Sequence, residues 1–267
     1  MFDRDLIERM RGDVGMAYYY PGTRVLRNRF DIQDGVKLET VERLVVSARL
    51  SQLLQFGVTG RFDMSHVIQI HRFLFSDLYD WAGQFRDDDI FKSGSKFAVP
   101  DKISVMLDAI VKDIQNLGNL RILSRADYIE VLTWTLAGLN QAHPFREGNG
   151  RTQRVFLSQL ALAGGYDLDF SQVSENSMRN ACVAAGRGDV QLIRLMMQDC
   201  LRALPVGFIV PVNLNVVHDL LEPSDFDFSP IDLRLDARTR ELARRARLLH
   251  SPSGNARDLS NWPDFSL

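Results

Sequence analysis

The stretch His143-Pro144-Phe145-Arg146-Glu147-Gly148-Asn149-Gly150-Arg151-Thr152-Gln153-Arg154 decides how the rest of the chain is read. Pro144 disfavours α geometry at the residue before it, so a preceding helix should end at His143 and display the imidazole at its terminus. Gly148, Asn149 and Gly150 tolerate unusual backbone angles and can turn successive N–H groups towards one point, which makes an anion cradle. Apolar spacing resumes at Val155, Phe156 and Leu160, so a second helix begins near Gly150 with its unpaired N–H groups facing the same place. Arg151 and Arg154 fall on one face of its first turn, where the helix macrodipole disfavours cations. A polyphosphate offsets that cost, because guanidinium forks take phosphate oxygens in pairs. Glu147 points into the same loop, and magnesium is commonly held by one or two carboxylates plus substrate phosphates. Taken singly, each residue has an ordinary reading as a surface histidine or a solvated ion pair. Their order and spacing together point to a nucleotide site.

With every fixed position filled, this stretch resembles the signature of the Fic-domain family, H-P-F-x-[D/E]-G-N-G-R-x-x-R. The resemblance implies transfer of AMP from ATP to a hydroxyl of a target protein. By the same resemblance His143 is the general base, Glu147 holds magnesium, and Gly148, Asn149 and Gly150 bind the α- and β-phosphates. Arg151 and Arg154 hold the outer phosphates, which leave as pyrophosphate, and Phe145 is a core residue fixing the loop. The run Ile70-His71-Arg72-Phe73-Leu74-Phe75-Ser76-Asp77-Leu78-Tyr79-Asp80-Trp81-Ala82-Gly83 is similar to a second family stretch. His71, mid-helix among apolar neighbours, reads as structural. The fold implied is all-α, a Fic-type helical bundle with a small β-hairpin flap and a short mixed C-terminal extension.

The flap falls where the sequence changes character, over residues 84–99. Ser93-Gly94 between short extended pieces signals a hairpin. In the family such a flap aligns the target by strand pairing, a general mode of peptide capture. Phe91, Lys92, Ser93 and Gly94 should lie nearest its tip.

Composition bounds the alternatives. The chain has 267 residues, 45% of them hydrophobic, enough for a substantial core, and a formal charge of -2. With a pI near 6.2 it makes a poor general nucleic-acid binder, which needs a basic surface. No apolar run approaches the roughly 20 residues of a membrane helix, and the acidic N-terminus does not read as a signal peptide. Location in the bacterial cytoplasm is expected, with secretion into a host cell as the alternative. Cys182 and Cys200 lie in helical pattern and read as reduced core residues.

Helices are expected at about 40–56, 65–78, after Pro100, from a capping box Ser124–Asp127 to His143, across the motif to Gly164-Gly165, and at 172–185 and 189–204. Residues 1–37 read as a mixed N-terminal extension with a short helical start and a turn at Tyr20-Pro21-Gly22-Thr23; Tyr18 to Tyr20 should cover the core. Residues 38–204 read as the Fic domain. Residues 205–267 read as a C-terminal extension of uncertain structure, with β-branched residues over 206–217 and an arginine-rich helical stretch at 236–249.

Family members are often inhibited by a helix bearing [S/T]-x-x-x-E-[G/N]. Ser171 to Asn176 is the one match, but its place suits a helix start, with Ser171 as N-cap and Glu175 as a first-turn acid. A separate antitoxin-like protein would then supply the inhibitory glutamate. Phosphotransfer by the same fold and an ATP-binding sensor without transfer are the other readings. Intact Arg151 and Arg154 favour AMP over a phosphoryl group, and retention of His143 favours transfer over binding alone.

Overall fold

The computed structural model describes residues 18–56, 60–92 and 95–204. The expected helical start before Tyr18, the tip residues Ser93 and Gly94, and the extension from Pro205 onward lie outside them.

Among the described residues there are seven α-helices, the motif helix and six around it. They are α1 (Gly35–Phe56), α2 (Met64–Phe75), α3 (Pro100–Asn116), α4 (Arg125–Ala142), α5 (Asn149–Ala163), α6 (Glu175–Ala185) and α7 (Gln191–Cys200). Two antiparallel pairs complete the set. β1 (Phe91–Lys92) pairs with β2 (Ser95–Lys96), and β3 (Tyr166–Leu168) pairs with β4 (Leu201–Ala203) in the register Leu168 with Leu201.

The expected patterning shows in the packing. On α3, Ile103, Leu107, Val111 and Ile114 fall at helical spacing and are all buried, while the opposite face is exposed. That stripe packs on α4, which also contacts α5 and α7. Ser124 caps α4 by accepting from the Asp127 N–H at 3.2 Å, as the capping-box spacing predicts. α5 is the central element, in contact with α2, α4 and β3. Its burial extends beyond Val155, Phe156 and Leu160 to the polar Arg151, Thr152, Gln153, Arg154 and Gln159. So many buried polar groups on one helix are costly without partners and mark it as more than scaffold. Cys182 and Cys200 are buried free thiols, each with its pKa pushed up by burial to about 12.

Several boundaries differ from expectation, each for a local reason. α1 begins at Gly35 rather than near Thr40 because Asp34 accepts the Lys37 N–H at 3.0 Å. α2 begins at Met64, capped by Asp63, and stops at Phe75. Beyond Phe75 the chain turns so that Asp77 reaches inward to Arg49. α6 begins three residues later than expected: Ser171 N–H is taken by Asp169, and the capping hydroxyl belongs to Ser174. The last helix ends at Cys200, and the expected final turn is strand β4, whose backbone pairs with the residues after Gly165. Tyr18 to Tyr20 are half-buried, and the Tyr18 ring meets edge-on, at 5.9 Å, the Trp81 ring that packs against the core. Tyr20 and Thr23 close the predicted turn, Tyr19 bridges Leu26, and Arg146 of the motif loop lies over the Tyr18 and Tyr19 rings at 5.8 and 4.9 Å.

Candidate active site

His143 follows α4 directly as its C-cap, in left-handed geometry at φ 42° and ψ 61°. For a residue with a Cβ that conformation costs roughly 1–2 kcal/mol, so the surroundings must hold it. The imidazole stands at the helix end, as the sequence suggested, but is buried there. His143 is 4% exposed, and the Phe97 ring, just beyond β2, lies parallel to it with centroids 3.9 Å apart. Its carbonyl oxygen accepts from Arg86 Nε at 2.8 Å.

The loop from Phe145 to Asn149 closes on itself. Asn149 Oδ1 accepts the Phe145 N–H at 2.9 Å, and Asn149 Nδ2 donates to the Phe145 carbonyl at 2.7 Å. The Asn149 side chain is thus a brace, leaving its backbone to open the helix. Gly148 caps α5 at φ 81°, and a Cβ there would meet Phe75 Cζ at 2.3 Å, so both conformation and space demand glycine. Thr152 Oγ1 donates to the Gly148 carbonyl at 3.0 Å and secures the first turn. The result is a helix N-terminus whose leading N–H groups suit an anion.

His71 supports this loop from beneath. Its Nδ1 accepts the Gly83 N–H at 2.8 Å, which places the proton on Nε2, and Nε2 donates to the Glu147 carbonyl at 3.0 Å. The ring stacks on Phe145 at 3.7 Å, and both side chains are fully buried. Burial is the main cause of a His71 pKa lowered to about 3. The ordinary histidine value is about 6.5, so between the two the unfolded chain binds a proton that the native chain does not. Stability therefore falls as pH drops below about 6.5. In urea titrations the drop between about pH 7 and pH 5 should be about 2 kcal/mol smaller in His71→Gln than in the wild type, if both fold. Equal drops would contradict a neutral native His71.

The charged residues meet at the other end of the loop. Glu147 Oε1 accepts the Gly148 N–H at 2.8 Å and lies 3.5 Å from Arg151. Arg151 donates to Glu42 Oε1 on α1 at 2.5 Å and lies 4.8 Å over the Phe75 ring. Tyr79 donates to the second Glu42 oxygen. Burial, reinforced by Glu42, raises the Tyr79 pKa far above its ordinary value, so the phenol keeps its proton. Arg154 is buried on the same helix, close enough to Cys182 for its charge to act on that thiol. Arg151, Glu147 and Gly148 thus form one cluster. His143 belongs to a second, with Phe97 and Arg86. Phe91 and Lys92 form strand β1 of the hairpin, whose return strand leads to Phe97.

Glu42, Tyr79, Arg86 and Phe97 were not singled out by the sequence. Tyr79 lay inside the second family-like stretch, and Arg86 and Phe97 inside the expected flap segment 84–99; Glu42 carried no signal. Glu175, the glutamate of the inhibitory-type match, lies in the first turn of α6 and pairs with Arg179.

Residues 61–161 match the model of the Fic/DOC family. y4lH of Sinorhizobium fredii, named Probable protein adenylyltransferase, is 37% identical over 172 residues, which are 64% of this chain and 88% of y4lH. The chain belongs to the Fic/DOC family. Protein adenylyltransferase VbhT of Bartonella schoenbuchensis is 34% identical over 210 residues, 79% of this chain but 44% of VbhT. Less than half of VbhT is thus represented. Among solved Fic/DOC structures, the BepC effector of Bartonella tribocorum with bound AMPPNP superposes with a TM-score of 0.65 at 28% identity, covering 71% of this chain and 98% of BepC. The fold is that of a Fic domain, and all the motif positions lie inside the matched region.

Proposed function

We infer that the chain is a protein adenylyltransferase, which moves AMP from ATP to a hydroxyl of a target protein. The observation that carries this reading is one loop joining His143, at the end of α4, to the N-terminus of α5, with no fixed motif position altered. The names of the relatives and the AMPPNP bound by BepC support it.

In this reading the backbone N–H groups at Gly148, Asn149 and Gly150 hold phosphate oxygens, and the guanidinium groups of Arg151 and Arg154 face the outer phosphates. Glu42 holds Arg151 so that one conformer of a long side chain is fixed before ATP arrives. A hydroxyl oxygen of the target attacks the α-phosphorus and its proton passes to His143. The bond from that phosphorus to the bridging oxygen breaks, and pyrophosphate leaves with the electron pair. The hairpin β1–β2, with Phe91, Lys92, Ser93 and Gly94, pairs with an extended target segment.

Magnesium fits the donor set. Glu147 is a hard oxygen ligand, with its side chain 22% exposed, beside the phosphate cradle, and magnesium sites commonly use one carboxylate with phosphates and waters. When bound, the ion would neutralise charge developing on the departing pyrophosphate.

Inhibition is assigned to a separate small protein, because Glu175 is engaged with Arg179 at a helix start. Incubation of the purified chain with magnesium, a bacterial lysate and either α- or γ-labelled ATP tests both proposals. Protein-bound label from the α-phosphate alone is expected. Label from the γ-phosphate would make the chain a kinase, and binding without label would favour a sensor. A chain silent until Glu175→Gly is introduced would instead place the inhibitor within it.

A further inference from the structure

Arg86 is 2% exposed and spends its guanidinium on backbone carbonyls. Nε donates to the His143 carbonyl at 2.8 Å, Nη1 to Asp88 at 2.5 Å, and Nη2 to Ala98 at 2.5 Å and more weakly to Ala142 at 3.4 Å. Its own N–H donates to the Pro144 carbonyl at 2.9 Å. Three segments meet on this one side chain: the segment entering the hairpin at Asp88, the segment leaving it at Ala98, and the end of α4 at Ala142 and His143. The Ala98 N–H adds a direct bond to the Gln141 carbonyl at 2.9 Å. One residue before Ala98 stands Phe97, whose ring covers the imidazole.

We propose that Arg86 is a positioning residue for the transfer step, setting the His143 imidazole and the β1–β2 hairpin in fixed register with one another. The planar fork suits this task. Five N–H donors leave it in set directions, whereas a lysine ammonium is a point charge on a flexible stem. The cation also lies at the C-terminal end of α4, where the orphan carbonyls and the macrodipole favour positive charge. His143 has non-glycine left-handed geometry, and the bond to its carbonyl together with the Phe97 ring selects that geometry. Since Phe97 lies between strand β2 and the Ala98 that Arg86 anchors, a shift of the hairpin moves the base. A target strand paired to the hairpin is thereby presented to His143 at a defined distance.

The proposal rests on the transfer reading for its purpose, though its geometry can be tested without it. In Arg86→Lys the His143 Cε1–H resonance, shifted in the wild type by the Phe97 ring current, should move towards the position of an exposed histidine. AMP transfer to lysate proteins from α-labelled ATP should fall about 10- to 100-fold, while AMPPNP affinity stays within about threefold, because the Asn149 brace that shapes the cradle is untouched. A second measurement needs no variant: in the wild type the Arg86 Nε–H and the Ala98 N–H, each rate referred to the intrinsic rate of its own group, should show protection factors equal within about twofold, since they open together. An unmoved His143 resonance, undiminished transfer, equal losses of AMPPNP affinity and transfer, failure of Arg86→Lys to fold, or an Nε–H protection factor more than about tenfold below that of the Ala98 N–H would each overturn the assignment. Should the wild type transfer nothing, the resonance and exchange readouts still decide the geometry, and only the functional reading fails.

Discussion

His143→Ala is expected to lower AMP transfer about 10²- to 10⁴-fold while leaving AMPPNP binding within about threefold of the wild type. The size follows from what is removed. General base help from a positioned imidazole accounts for that range, while phosphate binding depends on the α5 N-terminus and the Phe145–Asn149 brace, neither of which uses the imidazole. Removing the ring also bares Phe97, which covers it, and leaves a Cβ residue at φ 42°. His143→Asn separates these effects, because asparagine adopts left-handed geometry readily but cannot act as a base at neutral pH. Both variants should lose transfer alike. Transfer retained in His143→Asn would show that backbone shape rather than proton removal was lost. Rates of label incorporation from α-labelled ATP, with calorimetry of AMPPNP binding, measure the two quantities separately.

Asp77→Ala is expected to destabilise the fold by about 3–5 kcal/mol, the range for a buried ion pair that loses one partner. Asp77 and Arg49 have side chains 2% exposed and pair twice, Nε to Oδ2 at 2.7 Å and Nη2 to Oδ1 at 2.8 Å. Arg49 Nη1 donates to Gln52 at 3.1 Å, and the guanidinium lies 5.4 Å over the Phe73 ring. The pair ties α1 to the turn after α2. Through α1 it also sets the position of Glu42, so its loss should reach Arg151 and the proposed nucleotide site as well as the fold. Without Asp77 the Arg49 charge is stranded in a site of low polarity. The double variant Arg49→Met with Asp77→Leu removes both charges at similar volume and should recover most of the loss. Urea denaturation of the wild type, the single and the double variant checks this. A single variant within about 1 kcal/mol of the wild type would contradict the buried-pair argument.

Local signals in the sequence carried the bundle well. The α3 stripe and the Ser124 cap are decided by residues within one or two turns, and the structure places both as spacing predicts. The start of α6 shows how two adjacent signals compete. Ser171 and Ser174 both have capping chemistry, and Asp169 occupies the Ser171 N–H, leaving Ser174 to cap. Strand β4 was less legible, since Leu201–Ala203 continues an apolar helical pattern and becomes a strand only through pairing with Tyr166–Leu168.

The site divides in the same way. His143 to Arg154 was readable because its chemistry is continuous in the chain. Its supports come from afar: Glu42 meets Arg151 across 109 positions, and Arg86 meets the His143 carbonyl across 57. Nothing in the local pattern of a helical glutamate, or of an arginine following Phe85, distinguishes it from a solvated surface charge. Burial and partners make that distinction, and both are tertiary. His71 was readable as structural from its apolar neighbours, but its two hydrogen bonds to Gly83 and Glu147 were not.

The most direct measurement is an analysis of what the α-labelled reaction leaves behind: the group attached to the modified protein, read by mass spectrometry, and the phosphate product released with it. An adenylyl group on a serine, threonine or tyrosine, with one pyrophosphate released for each group attached, is the expected result. A phosphoryl group on the protein with ADP released, or ATP consumed with no protein modified, would contradict transfer of AMP by this loop.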